Sequence, residues 1–243
     1  MGARKVQQMI VWVSSFPRSG NTFLRIVLHR LYGIRASVVY DVDGVAERLG
    51  GELIGFEERA AGYAELRASQ EVHFIKTHRR RDDLVDEQDP AICLVRDGRD
   101  ALVSWARMTS EPDPSRFETE LRTMIGRPSD EPGTGSWGHN VLSWLQPAAP
   151  HRVLLRYDDL ARDPHASVDH VLTALLPGLR PLPGATIPTF DQLHEVDPAF
   201  FRRGRTGTHR DELTPDLHDH FWSKPDNRQA MELLGYNRGV PSS

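Results

Sequence analysis

Arg18, Ser19, Gly20 and Thr22 fall together in the run Val11-Trp12-Val13-Ser14-Ser15-Phe16-Pro17-Arg18-Ser19-Gly20-Asn21-Thr22-Phe23-Leu24-Arg25. Their types suit one task, holding a phosphate or sulfate. A short apolar segment leads into a turn of Ser, Pro and Gly, and the turn opens into an amphipathic stretch, which reads as strand, loop and helix start. The first N–H groups of a helix lack internal partners and its macrodipole leaves positive potential there, so the end favours an anion. Gly20 lets backbone approach a ligand, Ser19 and Thr22 offer hydroxyls, and Arg18 adds a fixed positive charge. The spacing departs from G-x-x-x-x-G-K-[ST], with no first Gly and no Lys before the hydroxyl residue, so this is not the loop of an ordinary nucleotide hydrolase.

Three other groupings could join that loop. Val95-Arg96-Asp97-Gly98-Arg99-Asp100-Ala101-Leu102-Val103-Ser104 reads as strand, turn and helix, and places Arg96 and Ser104 where both could meet one anion. Lys76-Thr77-His78 closes another apolar run, and an imidazole with an ordinary pKa of about 6.5 suits a general base near neutrality. Phe200-Phe201-Arg202-Arg203-Gly204-Arg205-Thr206-Gly207 interleaves arginine with glycine after an aromatic pair, a loop able to wrap a phosphate. Each also has a plainer reading: a salt-bridged strand-end arginine, a surface histidine, a solvated basic turn.

The elements that must position these residues follow from apolar runs and their punctuation. Met9–Ser14, Val72–Lys76, Ala91–Val95 and Arg152–Arg156 read as buried parallel strands. Leu24, Val27, Leu28 and Leu31 recur at helical spacing with Gly33 as a stop. Further helices are expected over Asp100–Met108, Pro164–Leu176, after Thr214-Pro215, and from Asn227 to Leu234 before Gly235. Ala36–Ala68 reads as helices and loops over one face, and Glu111–Gly138, rich in Pro, Gly, Ser and Asp, as a mobile loop or lid. The alternation predicts an α/β fold, a three-layer sandwich around a parallel sheet whose ligands bind at the carboxyl ends of the strands.

Bulk properties narrow the class. At 243 residues, 39% hydrophobic and 26% charged, the chain suits one globular domain spanning 1–243. A net charge of −4 argues against coating nucleic acid. Cys93, the single cysteine, lies in an apolar run and reads as a buried structural thiol; no Cys/His spacing suggests a metal. The apolar run from Met9 to Val13 is too short for a signal peptide or a membrane span, so the expectation is a cytoplasmic protein.

In this order the pieces resemble the sulfotransferase family that uses 3′-phosphoadenosine 5′-phosphosulfate (PAPS). The resemblance runs from Phe16–Thr22 through Lys76-Thr77-His78, Arg96–Ser104, Tyr157-Asp158-Asp159-Leu160 with Asp163-Pro164, and Phe201-Arg202-Arg203-Gly204 to Met231-Glu232-Leu233-Leu234-Gly235-Tyr236. The Phe-Pro-Arg-Ser-Gly-Asn-Thr form looks like a bacterial-type branch. The resemblance implies a P-loop-containing sulfotransferase-like fold, PAPS as donor, 3′,5′-adenosine bisphosphate (PAP) as product, and no metal. It implies that Arg18, Ser19, Gly20, Asn21 and Thr22 hold the 5′-phosphosulfate, with Phe23 and Tyr157 against the adenine and Thr189-Phe190 lining that pocket. Arg96, Ser104, Arg202, Arg203 and Gly204 would grip the 3′-phosphate. His78 would take the acceptor's proton, and Lys76 would orient or stabilise the sulfuryl group. Many family members carry Lys where this chain has Arg18; an arginine keeps its proton, so Arg18 would stabilise the leaving phosphate by charge alone. The ending Gly204-Arg205-Thr206-Gly207-Thr208-His209-Arg210 lacks the family's Trp.

The rival readings are a P-loop small-molecule kinase, which needs a loop Lys and an acidic Mg²⁺ residue after a strand, and a non-catalytic nucleotide-binding protein. The expected acceptor is a small molecule or glycan offering a hydroxyl, less readily an amine. Arg79-Arg80-Arg81 after His78 could attract an anionic acceptor, or pair with the Asp82 and Asp83 that follow. A homodimer stays open as a further partner.

Overall fold

The computed structural model describes residues 9–202 and 206–238. Strands β1 (Met9–Ser15), β2 (Ala36–Val38), β3 (Val72–Thr77), β4 (Ala91–Val95) and β5 (Arg152–Arg156) form one sheet in the order β2-β3-β1-β4-β5. Every pairing is parallel. The intervening helices are α1 (Asn21–Tyr32), α2 (Gly44–Leu49), α3 (Gly51–Ile54), α4 (Tyr63–Ala68), α5 (Gly98–Thr109), α6 (Phe117–Ile125), α7 (Trp137–Leu145), α8 (Tyr157–Arg162), α9 (Pro164–Leu175), α10 (Phe190–Val196), α11 (Pro215–Ser223) and α12 (Pro225–Leu233).

Successive side chains of a strand point to opposite faces, and the central strand shows why three layers form. Val11 and Val13 pack with Leu24, Val27 and Leu28 of α1 and Val168 and Val171 of α9. Ile10 and Trp12 face the other way, onto Leu66 of α4 and Trp144 of α7. The Trp12 indole N–H donates to Asp89 Oδ2 at 2.9 Å, and Arg67 pairs with the same carboxylate, so the polar edge of this buried ring is satisfied. Gly33 ends α1 in the left-handed conformation at φ 69°. Cys93 is buried within β4, where burial pushes its thiol up to about 11.

Two regions depart from the sequence expectation. Residues 36–68 are not only helices and loops: Ala36–Val38 forms the edge strand β2, paired to Phe74–Lys76. Three residues including a serine make too short an apolar run to read as a strand without its partner. Residues 111–138 are not a single mobile loop. They contain α6, whose Leu121, Met124 and Ile125 enter the core, and they supply the first residues of α7. The Pro, Gly and Ser residues that suggested a lid flank this helix rather than replace it.

Helices α7 and α12 meet at backbone distance. The Gly138 N–H donates to Asn227 Oδ1 at 3.1 Å, and a Cβ at Gly138 would fall 2.3 Å from the Asp226 carbonyl carbon. Gly138→Ala is expected to cost about 1–3 kcal/mol through overpacking against main chain that has no rotamer to move. A thermal melt should show Tm lowered by about 3–10 °C. An unchanged Tm would contradict this close approach.

Candidate active site

Because all strands run parallel, the carboxyl ends of β1, β3, β4 and β5 reach the same edge of the sheet. There β1 leads into the loop before α1, β3 ends beside His78, β4 delivers Arg96, and β5 runs straight into Tyr157. These ends open on a cavity of about 640 Å³. Arg18, Gly20, Asn21, Thr22 and Phe23 line it from the first loop and α1. His78, Arg96, Ser104 and Tyr157 line it from the neighbouring strand ends and α5. Thr189, Phe190 and Arg202 close the far side. Ser19 and Lys76 do not line it; they are 1% and 6% exposed and lie behind the wall. Arg203 and Gly204 lie outside the described residues.

The first loop is shaped for close approach. Gly20 has φ 97° and caps α1 without any side-chain hydrogen bond, which leaves the helix start open to a ligand. A Cβ at Gly20 would fall 2.5 Å from the Tyr157 ring, so glycine is required both by the backbone and by its neighbour. Arg18 adopts φ 62°, a left-handed conformation that a non-glycine residue holds at a cost of about 1–2 kcal/mol. Ser19 Oγ and Asn21 Oδ1 are buried with no hydrogen-bond partner.

Charge concentrates here. The Arg18 guanidinium donates to Ser104 Oγ at 3.3 Å and to the Phe200 carbonyl at 3.1 Å, and lies 4.7 Å from the centre of the Phe200 ring. Burial, then the neighbouring charges of Arg96, Arg202 and Arg48, push its pKa down to about 10. Arg96 stacks on Tyr157 at 4.7 Å and donates to the Arg18 carbonyl at 3.2 Å. Arg96 and Ser104 therefore both converge on Arg18.

His78 is pinned from three sides. Its main-chain N–H donates to the Tyr40 hydroxyl at 2.9 Å, and its carbonyl accepts from Asn140 Nδ2 at 3.0 Å. Its Nδ1 lies 2.9 Å from the Ser15 carbonyl oxygen. A carbonyl can only accept, so Nδ1 carries the hydrogen and Nε2 keeps the lone pair. Burial, then the charge of Lys76, hold the imidazole well below its ordinary 6.5. Asn21 spends its amide donors on Ser15 Oγ and the Val13 carbonyl, so its side chain ties the first loop to the strand end that holds His78. Lys76 sits 4.9 Å from the Tyr40 ring centre, and burial pulls it down to about 8 against the opposing pull of Asp43. Asp43, paired with the buried Arg25 at 2.6 Å, also caps α2.

Sequence reasoning gave no role to Tyr40 or Asn140, took Phe200 only as half of an aromatic pair and Asp100 only as a helix start; their contacts all join distant parts of the chain. Asp97 itself caps α5 and pairs with Arg99 at 2.7 Å. Of the three arginines after His78, Arg79 pairs with Asp82, Arg80 reaches His139 and Arg81 donates to the Ser143 carbonyl. Among the described residues no His, Cys, Asp and Glu group could hold a metal ion, and no helix is long and apolar enough to cross a membrane.

A family model described as the sulfotransferase domain matches residues 9–175. No curated protein matches the chain by sequence. Among solved structures, mouse sulfotransferase SULT7A1 complexed with PAP is similar at 17% identity, covering 95% of this chain and 90% of that one with a TM-score of 0.61. The sulfotransferase domain from the Synechococcus PCC 7002 olefin synthase matches at 17% identity, 97% and 98% coverage and a TM-score of 0.44. The sulfotransferase domain from the curacin biosynthetic pathway matches at 16% identity, 94% and 98% coverage and a TM-score of 0.44.

The environment of His78 makes a direct prediction. A nitrogen-detected NMR titration should find its imidazole in the Nδ1–H form and still neutral at pH 6.5, protonating only as the pH falls further. A His78 that titrates at or above 6.5 would contradict the buried, cation-flanked placement.

Proposed function

The chain belongs to the sulfotransferase domain family and has its fold, and from that premise we propose that it moves the sulfuryl group of PAPS to a hydroxyl acceptor. The observation that carries this is the cavity at the carboxyl edge of the sheet, where an open helix start, several arginines and a neutral imidazole meet. The whole chain, 1–243, acts as one domain on this reading.

Each residue then has a task. The N-terminus of α1 with Arg18 and Thr22 receives the 5′-phosphosulfate, and Ser19 supports the turn through its main-chain N–H, which donates to the Phe16 carbonyl at 3.3 Å. Asn21 contributes through its backbone, since its amide is committed to Val13 and Ser15. Phe23 and Tyr157, with Thr189 and Phe190, take the adenine. Arg96, Ser104 and Arg202, with Arg203 and Gly204 from the segment outside the described residues, take the 3′-phosphate. This requires Arg18 to release Ser104 and turn toward the other phosphate when the donor enters.

His78 Nε2 removes the proton from the acceptor hydroxyl as its oxygen attacks sulfur. The bond between sulfur and the 5′-phosphate oxygen breaks in line, giving a sulfate ester and PAP, with the proton left on His78. Sulfuryl transfer of this kind resembles phosphoryl transfer, where positioning and charge stabilisation supply most of the catalysis. Arg18 meets the charge developing on the leaving phosphate. Lys76 acts from behind the wall, through its field on the sulfuryl site and on His78. The acid after β4, Asp97, is committed to its helix cap and to Arg99, which counts against the kinase reading. The arginines after His78 all have protein partners and give no support for an anionic acceptor.

Calorimetry should find that PAP binds and ATP binds far more weakly, and labelled PAPS screened against metabolites and glycans should reveal transfer. With an acceptor in hand, His78→Ala should lower turnover by about 10²–10⁴ while PAP affinity stays unchanged. Full turnover in that variant would reject His78 as the base, and tighter binding of ATP than PAP would reject the donor.

A further inference from the structure

Asp100 lies in the first turn of α5, yet it does not cap that helix; Asp97 does. Its carboxylate is 1% exposed and turned toward a segment more than 100 positions away. One oxygen accepts the Gly207 N–H at 2.7 Å. The other accepts the Thr208 hydroxyl at 3.2 Å, the His209 N–H at 2.9 Å and His209 Nδ1 at 2.8 Å. Gly207 takes φ 75°, the left-handed turn that aims these N–H groups at one point. Behind the carboxylate, Arg96 Nη2 stands at 3.9 Å. Burial raises the carboxyl's pKa, but the bonds from His209 and the charge of Arg96 outweigh it and bring the value to about 2, so the group stays ionised.

One buried anion thus grips two things at once: the arginine at the end of β4, and the turn Gly207–His209. Just before Arg202, His194 Nδ1 donates to the Phe201 carbonyl at 2.8 Å. Arg202 and Thr208 both line the cavity.

We propose that Asp100 is a positioning residue for recognition of the donor's 3′-phosphate, holding Arg96 in aim and anchoring Gly207–His209 so that the Arg202 segment lies over the cavity. This rests on the PAPS reading of the site. A carboxylate behind an anion seat also repels the anion, and were repulsion its main effect, neutralising it would tighten binding. Four donors and a cation gathered on one buried carboxylate instead make loss of order the larger effect.

The test compares PAP with adenosine 5′-monophosphate, which lacks the 3′-phosphate, by calorimetry on the full chain. Asp100→Asn should weaken PAP about tenfold or more and leave adenosine 5′-monophosphate within about twofold, because only the 3′-phosphate contacts lose their order. His209→Leu, which spares the Arg96–Asp100 pair, should lower the same ratio by a smaller factor and serves if Asp100→Asn does not fold. A wild-type protein with no preference for PAP overturns the donor reading and this inference with it. A wild-type preference that persists unchanged or grows in the variants overturns the inference alone.

Discussion

Parallel pairing is the constraint from which the site follows. In an antiparallel sheet the ends of neighbouring strands alternate between edges, and the residues after β1, β3, β4 and β5 would be split between two sides of the molecule. Here each strand returns through a crossover on one face or the other, so Arg18, His78, Arg96 and Tyr157 arrive side by side although the sequence separates them widely. The central position of β1 matters most. Its loop lies between β3, which brings the imidazole, and β4, which brings the arginine that faces Tyr157.

Bringing these ends together crowds positive charge. Burial, and then repulsion from Arg96, Arg202 and Arg48, lower the proton affinity of Arg18, and the fold offsets the crowding with aromatic faces and acids. Phe200 takes Arg18 on its ring, with Arg48 5.5 Å away and paired to Asp197, while Tyr157 takes Arg96. An anion bound among these groups relieves the remaining repulsion, so binding and folding stability are linked at this site. The imidazole is treated in the opposite way. Burial and Lys76 keep it neutral, and one main-chain carbonyl fixes which nitrogen stays bare.

Much of this was legible in the residues. The long apolar runs, the glycine stop at Gly33 and the Thr214-Pro215 start each carry a local physical signal, and the strands and helices they imply form. The motif residues at the strand ends were legible for the same reason, since a loop that follows a buried run must surface at the sheet's edge. What escaped was non-local. Strand β2 exists only because β3 pairs with it, and α6 is held by a core assembled from four other helices and strand ends. Tyr40 on His78, Asn140 on the same residue's carbonyl, and Asp100 on Gly207 join positions 38, 62 and 107 apart, for which a single sequence carries no periodicity. Ser19 and Lys76 show the converse: residue type marks them as polar and available, and packing sets them behind the wall.

The contact between Gly20 and Tyr157 reaches beyond this one molecule. A hydrogen at position 20 is all the aromatic ring leaves room for, and the ring is in turn the platform for Arg96. Descendants of this chain cannot enlarge residue 20 by itself. They must shrink the aromatic and relax the left-handed turn as well, and in doing so give up the arginine's seat. Three positions from three strand ends are thus bound to drift together or not at all.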